Sequence, residues 1–410
     1  MFQIPGMFNG DLFTIAGGQL FRNNNFVGDV PYGLQPRMAC SLTQLAIVVG
    51  GALYVYDGAT LTLVQYFDDG SSRLPPFSSV AVLYNIFVYT VAGSNSFYTS
   101  NVGDATTIPA LNLDNAETAP DPILEVQVLA EELYFFGTKT TEIWDFNGGA
   151  DPAKPFSLSQ GRTYPRGTAA QGSVAFTDNA LFWVGDNYTI YRTSSAPVRV
   201  STPYIEDLLR EAGTGLDEMT SFNVAIEGHD FYVINLPSLN LSFAYDCQTS
   251  EWAQWGSQQR FQSEPGLLMA GCSTGQGSTL FAGSATDSRV FLWDTSNKTD
   301  DGTAIEKLVT AVFWTTAGKL RLNSLGLACV RGVGNALSPD PQVRMRMSKD
   351  GGRTFGSWVA RSLGAAGEYT RKAVWRALGL VSQPGVLVEL ATTEPVIFAA
   401  EGVSYNEARY

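Results

Sequence analysis

The stretch Leu45-Ala-Ile-Val-Val-Gly-Gly-Ala-Leu-Tyr-Val-Tyr-Asp57 decides the fold. Five apolar residues run together, stop at a glycine pair, and are answered by a second run carrying two tyrosines. Such a pair of runs around Gly-Gly is a hairpin signal, and a strand apolar at every position suits burial on both faces. The same pattern stands earlier as Asp11-Leu-Phe-Thr-Ile-Ala-Gly-Gly-Gln-Leu-Phe-Arg22. It recurs at Ile86 to Tyr98, Leu133 to Phe146, Leu181 to Arg192, Phe231 to Asp246 and Leu280 to Asp294. The centres of the second strands are Phe21, Val55, Tyr98, Trp144, Tyr191, Ala244 and Leu292, spaced by 34, 43, 46, 47, 53 and 48 residues. A period of about 40–50 residues with several short strands per unit is the mark of a β-propeller, whose stacked blades cover each other's faces.

Within one unit the strands trace as Gly172 to Asp178, Ala180 to Val184, Thr189 to Thr193 and Val198 to Ser201, with Gly185-Asp-Asn-Tyr188 as a hairpin turn. The convincing helix is Pro203 to Glu211, stopped by Gly213. Seven blades are expected, with six as the alternative if the first copy only completes the last blade. The first copy leaves no evident room for an innermost strand before it. Leu308-Val-Thr-Ala-Val-Phe-Trp314 is expected to supply that strand and close the ring.

Beyond Thr316 the composition changes. Residues 319–410 carry a formal charge of +5, against −18 for residues 1–318. The basic stretch is rich in strand-like runs: Val343 to Met347, Gly356 to Ser362, Ala373 to Leu380, Val386 to Ala391 and Val396 to Ala400. The expected organisation is therefore all-β, with a propeller over 1–318 and a β-sandwich-like domain over 319–410.

The 410 residues are 45% hydrophobic and 16% charged, which excludes a disordered chain. A net charge of −13 argues against a general phosphate-backbone binder. No apolar run approaches the roughly 20 residues a membrane helix needs. Met1-Phe-Gln-Ile-Pro-Gly has neither the basic region nor the apolar run of a secretion signal, so a soluble chain made inside the cell is expected. Cys40, Cys247, Cys272 and Cys329 show no metal-ligand spacing and are too few for a disulfide scaffold.

The residues capable of chemistry are scattered. The sole histidine, His229, precedes Asp230 in a turn entering a strand, but no nucleophile motif accompanies it. Asp68-Asp69 and Asp300-Asp301 lie in Gly- and Ser-rich loops and lack the spacing of a calcium loop. Asn187, Asn240 and Asn297 head Asn-x-Ser/Thr triplets, which mean little without secretion. Ser348-Lys-Asp-Gly-Gly-Arg-Thr-Phe355 resembles the Asp-box of sialidases, a hairpin device and not a catalytic one. No catalytic, cofactor-binding or metal-ligating residue is predicted.

Several segments together resemble a known family. They are Gly17-Gly-Gln-Leu-Phe-Arg leading to Val27-Gly-Asp-Val30, then Gly51-Ala-Leu-Tyr-Val-Tyr-Asp-Gly58. Phe135-Phe-Gly-Thr-Lys-Thr-Thr-Glu-Ile-Trp-Asp-Phe146 leads into Gln160-Gly-Arg-Thr-Tyr-Pro-Arg-Gly167. Ile205-Glu-Asp-Leu-Leu, Phe231-Tyr-Val-Ile-Asn-Leu-Pro237, Tyr245-Asp and Trp252 follow, then Ser348 to Phe355 and Gly367 to Gly379. The chain resembles the packaged-DNA stabilisation, or tail hub (nozzle), proteins of short-tailed, P22-like bacteriophages.

The resemblance implies a structural virion protein without enzymatic activity and without a cofactor. It implies a homo-oligomeric ring of six, assembled in the host cytoplasm onto the adaptor, or head-to-tail connector, below the portal. The partners implied are that adaptor, a tail needle or plug, and tail fibres or tailspikes. DNA would be retained and later pass through the channel without sequence-specific binding. The basic C-terminal domain is expected to pair with acidic propeller surface on a neighbouring subunit or partner. Two other readings compete: a carbohydrate-binding or sialidase-like propeller, from the Asp-box and the many aromatics, and a WD-type scaffold, from Leu292-Trp293-Asp294.

Overall fold

In the computed structural model, residues 2–3, 11–32, 35–70, 72–116, 120–148, 151–256, 268–273, 280–284, 289–294, 296–314, 319–383 and 385–409 are described. The decisive stretch forms Leu45–Val49 and Ala52–Tyr56, paired so that Val49 faces Ala52 across a two-residue turn. Both turn residues, Gly50 and Gly51, have positive φ (60° and 79°), the conformation of a type I′ hairpin that matches strand twist. Gly51 is needed on a second count, since a Cβ there would lie 3.0 Å from Pro76 Cβ.

All five residues of Leu45–Val49 are buried, and their alternation explains why. Leu45, Ile47 and Val49 pack with Phe13 and Leu20 of the first sheet, whereas Ala46 and Val48 pack with Phe77, Phe87 and Tyr89 of the third. Each such aliphatic side chain contributes about 1.5–3 kcal/mol on burial, and both faces of the strand contribute.

This arrangement repeats around the first unit. Six four-stranded sheets span Phe2–Asp29, Arg37–Val64, Phe77–Asn115, Ile123–Tyr164, Ala175–Arg199 and Thr220–Trp255, and Leu268–Trp293 holds three described strands. In every sheet the strands lie in chain order. Each remaining hydrophobic cluster joins two successive sheets. Phe97 and Val88 meet Phe135 and Trp144, Phe136 meets Trp183, Phe182 meets Tyr232 and Tyr245, and Val233 and Trp255 meet Trp293. These are seven blades of a propeller, numbered here in chain order.

The helix Pro203–Ala212 is inserted between blades 5 and 6. Thr202 caps it by accepting from the Ile205 amide, Pro203 opens it, and Gly213 (φ 52°) ends it. Its apolar face, Ile205, Leu209 and Ala212, completes the core between those blades.

One expectation is corrected. The innermost strand of blade 1 is Phe2–Gln3, paired with Leu12 and Phe13, and it lies beside the inner strand of blade 7. Residues 308–314 do not close the ring. Lys307–Trp314 pairs along its whole length with Gly385–Thr392 in the C-terminal unit. That ladder offers eight paired positions, against two available at the short N-terminal strand.

Compactness divides the chain into Met1–Trp255 with Gly266–Trp293, and a second unit that includes Asp294–Tyr410. The second unit is a sandwich. A four-stranded sheet runs Lys307–Trp314, Gly385–Thr392, Gln342–Ser348, Val359–Ser362 in spatial order, and a three-stranded sheet runs Ala373–Ser382, Lys319–Cys329, Ala400–Arg409. Leu322, Leu325, Leu327, Val343, Met345, Trp375, Val388 and Leu390 form the core between them. The run expected at Val396 to Ala400 is mostly loop, and the strand there starts at Ala400.

Candidate functional site

Three places could carry function: the propeller axis, the residues able to do chemistry, and the sandwich hairpin. The axis was not anticipated. Gln35, just before the inner strand of blade 2, donates from Nε2 to the carbonyls of Glu218 (2.9 Å) and Met219 (3.1 Å), which lead into the inner strand of blade 6. Gln171, leading into blade 5, donates to the Ser78 carbonyl on blade 3 at 2.8 Å. Gly172 fits here because a Cβ would lie 1.8 Å from the Met219 carbonyl oxygen. Non-adjacent blades are therefore tied together across the axis by direct hydrogen bonds.

A charged cluster adds to this. Glu125, on the inner strand of blade 4 and 1% exposed, receives Arg37 Nε of blade 2 at 2.7 Å and the Ser79 hydroxyl of blade 3. Gln127 Nε2 also reaches Glu125, at 3.2 Å. A buried carboxylate is tolerated only when so supplied, and the arrangement fixes the angular order of three blades. Among the described residues, the axis is thus bridged at hydrogen-bond distance between blades 2 and 6 and between blades 3 and 5.

The other candidates form no common site. His229 Nδ1 lies 2.8 Å from Asp246 Oδ2, between the second and third strands of blade 6, and its ring stacks on Phe231. Partial burial opposes ionisation of Asp246, but the amides of Gln248 and Thr249 and the His229 ring hold its carboxyl below the ordinary range. The pair clasps a turn. Asp68 and Asp300 each sit beside their acidic neighbour in separate units, and among the described residues no cluster of His, Cys, Asp or Glu could hold a metal ion.

Asn187 bonds Tyr191, Asn240 occupies a left-handed turn position (φ 58°), and Asn297 caps Thr299. Asp294, of the Trp-Asp dipeptide, accepts from the hydroxyl and amide of Ser296, a local turn. Burial pushes the thiol of Cys40 up to about 11 and that of Cys247 to about 12, which makes both poor nucleophiles. Cys329 is raised for the same reason, and the side chain of Cys272 lies outside the described residues.

The Ser348–Phe355 motif is a closed local network. The Ser348 hydroxyl donates to Asp350 Oδ1 (2.7 Å) and accepts from the Gly352 amide (2.8 Å). Thr354 donates to Asp350 through its hydroxyl (2.6 Å) and amide (2.9 Å), holding the carboxyl well below its usual range. Arg346 stacks between Phe355 (4.3 Å) and Trp358 (4.5 Å) and pairs with the buried Glu389 at 2.6 Å. The Ser348, Asp350 and Thr354 side chains are bonded to one another and to backbone of their own hairpin, so the motif builds structure.

Comparison with known proteins agrees with the two-unit architecture. Residues 5–265 match the family described as Bacteriophage P22 Gp10, beta-propeller, and residues 306–401 match Bacteriophage P22 Gp10, beta-sandwich. A curated relative, the tail hub protein gp10 of Salmonella phage P22, is 24% identical over 265 residues. That alignment covers 60% of this chain and 54% of the relative, so the chain spans about half the length of the curated relative it matches. Similar solved structures include Hsv2 of Kluyveromyces lactis, with 10% identity, TM-score 0.34, and coverage of 58% of this chain and 77% of that one. Another is an exo-beta-1,3-galactanase of Phanerochaete chrysosporium, with 11% identity, TM-score 0.29, and coverage of 84% and 97%. Likenesses that distant carry no functional argument. With its propeller and sandwich both matched in order, this chain belongs to the P22 Gp10 family of bacteriophage tail hub proteins.

Proposed function

We propose that this chain is a structural component of a virion tail that assembles as a ring, rotational symmetry being a common way for identical subunits to surround a channel. In this reading six copies sit below the portal and its adaptor, retain packaged DNA, and form part of the ejection channel. The adaptor above, a needle or plug below, and fibres or tailspikes at the side are its partners, and assembly takes place in the host cytoplasm. It turns over no substrate. The observation that carries the reading is the match of both family domains, propeller then sandwich, along one chain.

The physical properties of the propeller support it. Blades tied across the axis resist shear, because non-adjacent blades are linked directly as well as through their neighbours. DNA then runs past the propeller, through the middle of the ring, and the propeller forms a wall. An acidic wall repels phosphate and lets DNA slide, whereas a basic one would hold it. The Asp-box gives the glycan reading no support, since the Ser348–Phe355 network is satisfied within its own hairpin.

The test is a phage stock lacking this chain. Heads filled in its absence are expected to lose their DNA, and adding the purified chain restores retention and infectivity. Heads that keep their DNA without it would contradict the reading.

A further inference from the structure

We propose that one face of the propeller, across blades 2 to 4, is a docking surface for a different polypeptide, one that presents lysine or arginine beside an apolar side chain. The setting in a virion rests on the reading above, whereas the surface is argued from this chain alone.

In blades 3 to 6 the first two strands are joined by a two-residue turn with both residues at positive φ. These are Tyr84-Asn85 (51°, 64°), Ala130-Glu131 (49°, 66°), Asp178-Asn179 (47°, 53°) and Glu227-Gly228 (51°, 87°). The geometry suits Asn, Asp and Gly, which blade 5 uses throughout and blade 6 at Gly228, and it penalises other side chains. Blade 3 nevertheless places a tyrosine there, and blade 4 an alanine and a glutamate. Strain of this kind points to a use for the side chain beyond the turn itself. The Tyr84 hydroxyl donates to Glu131 Oε2 at 2.9 Å, and its ring lies 4.6 Å from that of Phe146, so the two strained turns are joined across the blade boundary. Tyr84 is still 45% exposed, and Glu131 is exposed.

Aliphatic side chains continue the surface. The loop carrying Val102 (71% exposed) is held on both sides. The Gly103 amide donates to the Asn85 carbonyl at 2.7 Å, and the Ala105 amide donates to Gln44 Oε1 at 2.7 Å. Gln44 belongs to the turn of blade 2 that carries Leu42 (67% exposed). Leu42, Val102 and Tyr84 thus stand on successive loops bonded to one another. They share one end of the strands, because the first and third turns of a blade in chain order emerge together. Exposed apolar side chains on loops already pinned lose little further freedom on binding, which suits an interface.

Charge selects the partner. Residues 37–164, which build these three blades, hold five Lys/Arg against thirteen Asp/Glu, a formal charge of −8. Arg37, Lys154 and Arg162 are already paired, with Glu125, Asp114 and Glu132. A surface of this sign repels nucleic-acid phosphate and anionic membrane, and it favours a polypeptide with cations around an apolar anchor.

The experiment is photo-crosslinking in assembled particles that carry the full chain, with Val102 replaced by the photoreactive p-benzoylphenylalanine. Mass spectrometry is expected to find the adduct on a different virion polypeptide, at a segment where Lys or Arg flanks an apolar residue. Glu131→Lys is expected to lower the adduct yield by about 10-fold. Ala130→Asn with Glu131→Gly supplies the favoured turn residues. It should keep or raise the melting midpoint of the free chain while lowering the yield by a similar factor. A purely structural role for the Tyr84–Glu131 bond predicts the reverse, a lowered midpoint with the yield unchanged.

An adduct with a second copy, with DNA or with an acidic segment would overturn the proposal. So would no adduct in particles that contain the chain, or a yield unchanged in both variants, and these results leave the hub reading standing. Particles that lack even the wild-type chain would sink the hub reading, and with it a surface made for a virion partner.

Discussion

The propeller and the sandwich are both antiparallel β-structure, yet they are built from contacts of very different range. Within a blade, neighbouring strands are joined by turns as short as the two residues Gly50-Gly51, and each blade repeats its predecessor. In the sandwich Lys307 pairs with Thr392 and Leu320 with Arg409, so its sheets close only after the whole unit is present. Local pairings are legible as hairpins, whereas distant pairings leave no local trace. Stability follows the same division, with each unit holding its own core.

The largest effect is expected at the axis. Gly172→Val drives side-chain atoms into the Met219 carbonyl, and the propeller should lose more than about 4 kcal/mol or fail to fold, measured by denaturant unfolding. The sandwich transition should persist, and its loss in the same variant would show that the units fold as one.

Next come paired deletions of buried tryptophans. Trp183→Ala in the propeller and Trp375→Ala in the sandwich should each cost about 3–5 kcal/mol, and calorimetry should show each lowering only its own transition. Glu125→Ala should destabilise the propeller by about 3 kcal/mol, because it leaves Arg37 partly buried without its partner. An unchanged melting midpoint would show the axial cluster to be dispensable.

The smallest effect concerns the sandwich hairpin. Ser348→Ala should cost about 1 kcal/mol at neutral pH. The Asp350 carboxyl is held low in the folded state, so its stabilising contribution is present above the ordinary carboxylate range and is lost as pH falls below it. Melts in acid should therefore narrow the gap between Ser348→Ala and the wild type, while Trp183→Ala keeps its deficit.

Most of the propeller was legible because burial on both faces leaves runs such as Leu45–Val49 and Ala180–Val184 apolar throughout. The helix was legible through its cap, Thr202-Pro203, and its Gly213 stop. The inner strand of blade 1 was not, since two residues, Phe2 and Gln3, show no periodicity. Lys319–Cys329, the central strand of its sheet, was missed for another reason. Its alternation of leucines changes phase at the Asn323 bulge, so the period of two is broken halfway. The cross-axis bonds left no sequence signal, because Gln35, Gln171 and Gly172 lie in connections and meet residues far away in the chain.

The most direct test of the central claim is cryo-electron microscopy of intact particles, seeking this chain beneath the portal. The account predicts a ring of copies there, with DNA density in the middle of the ring and none along the axis of any propeller. Particles without such a ring, or DNA threaded through a propeller, would contradict it.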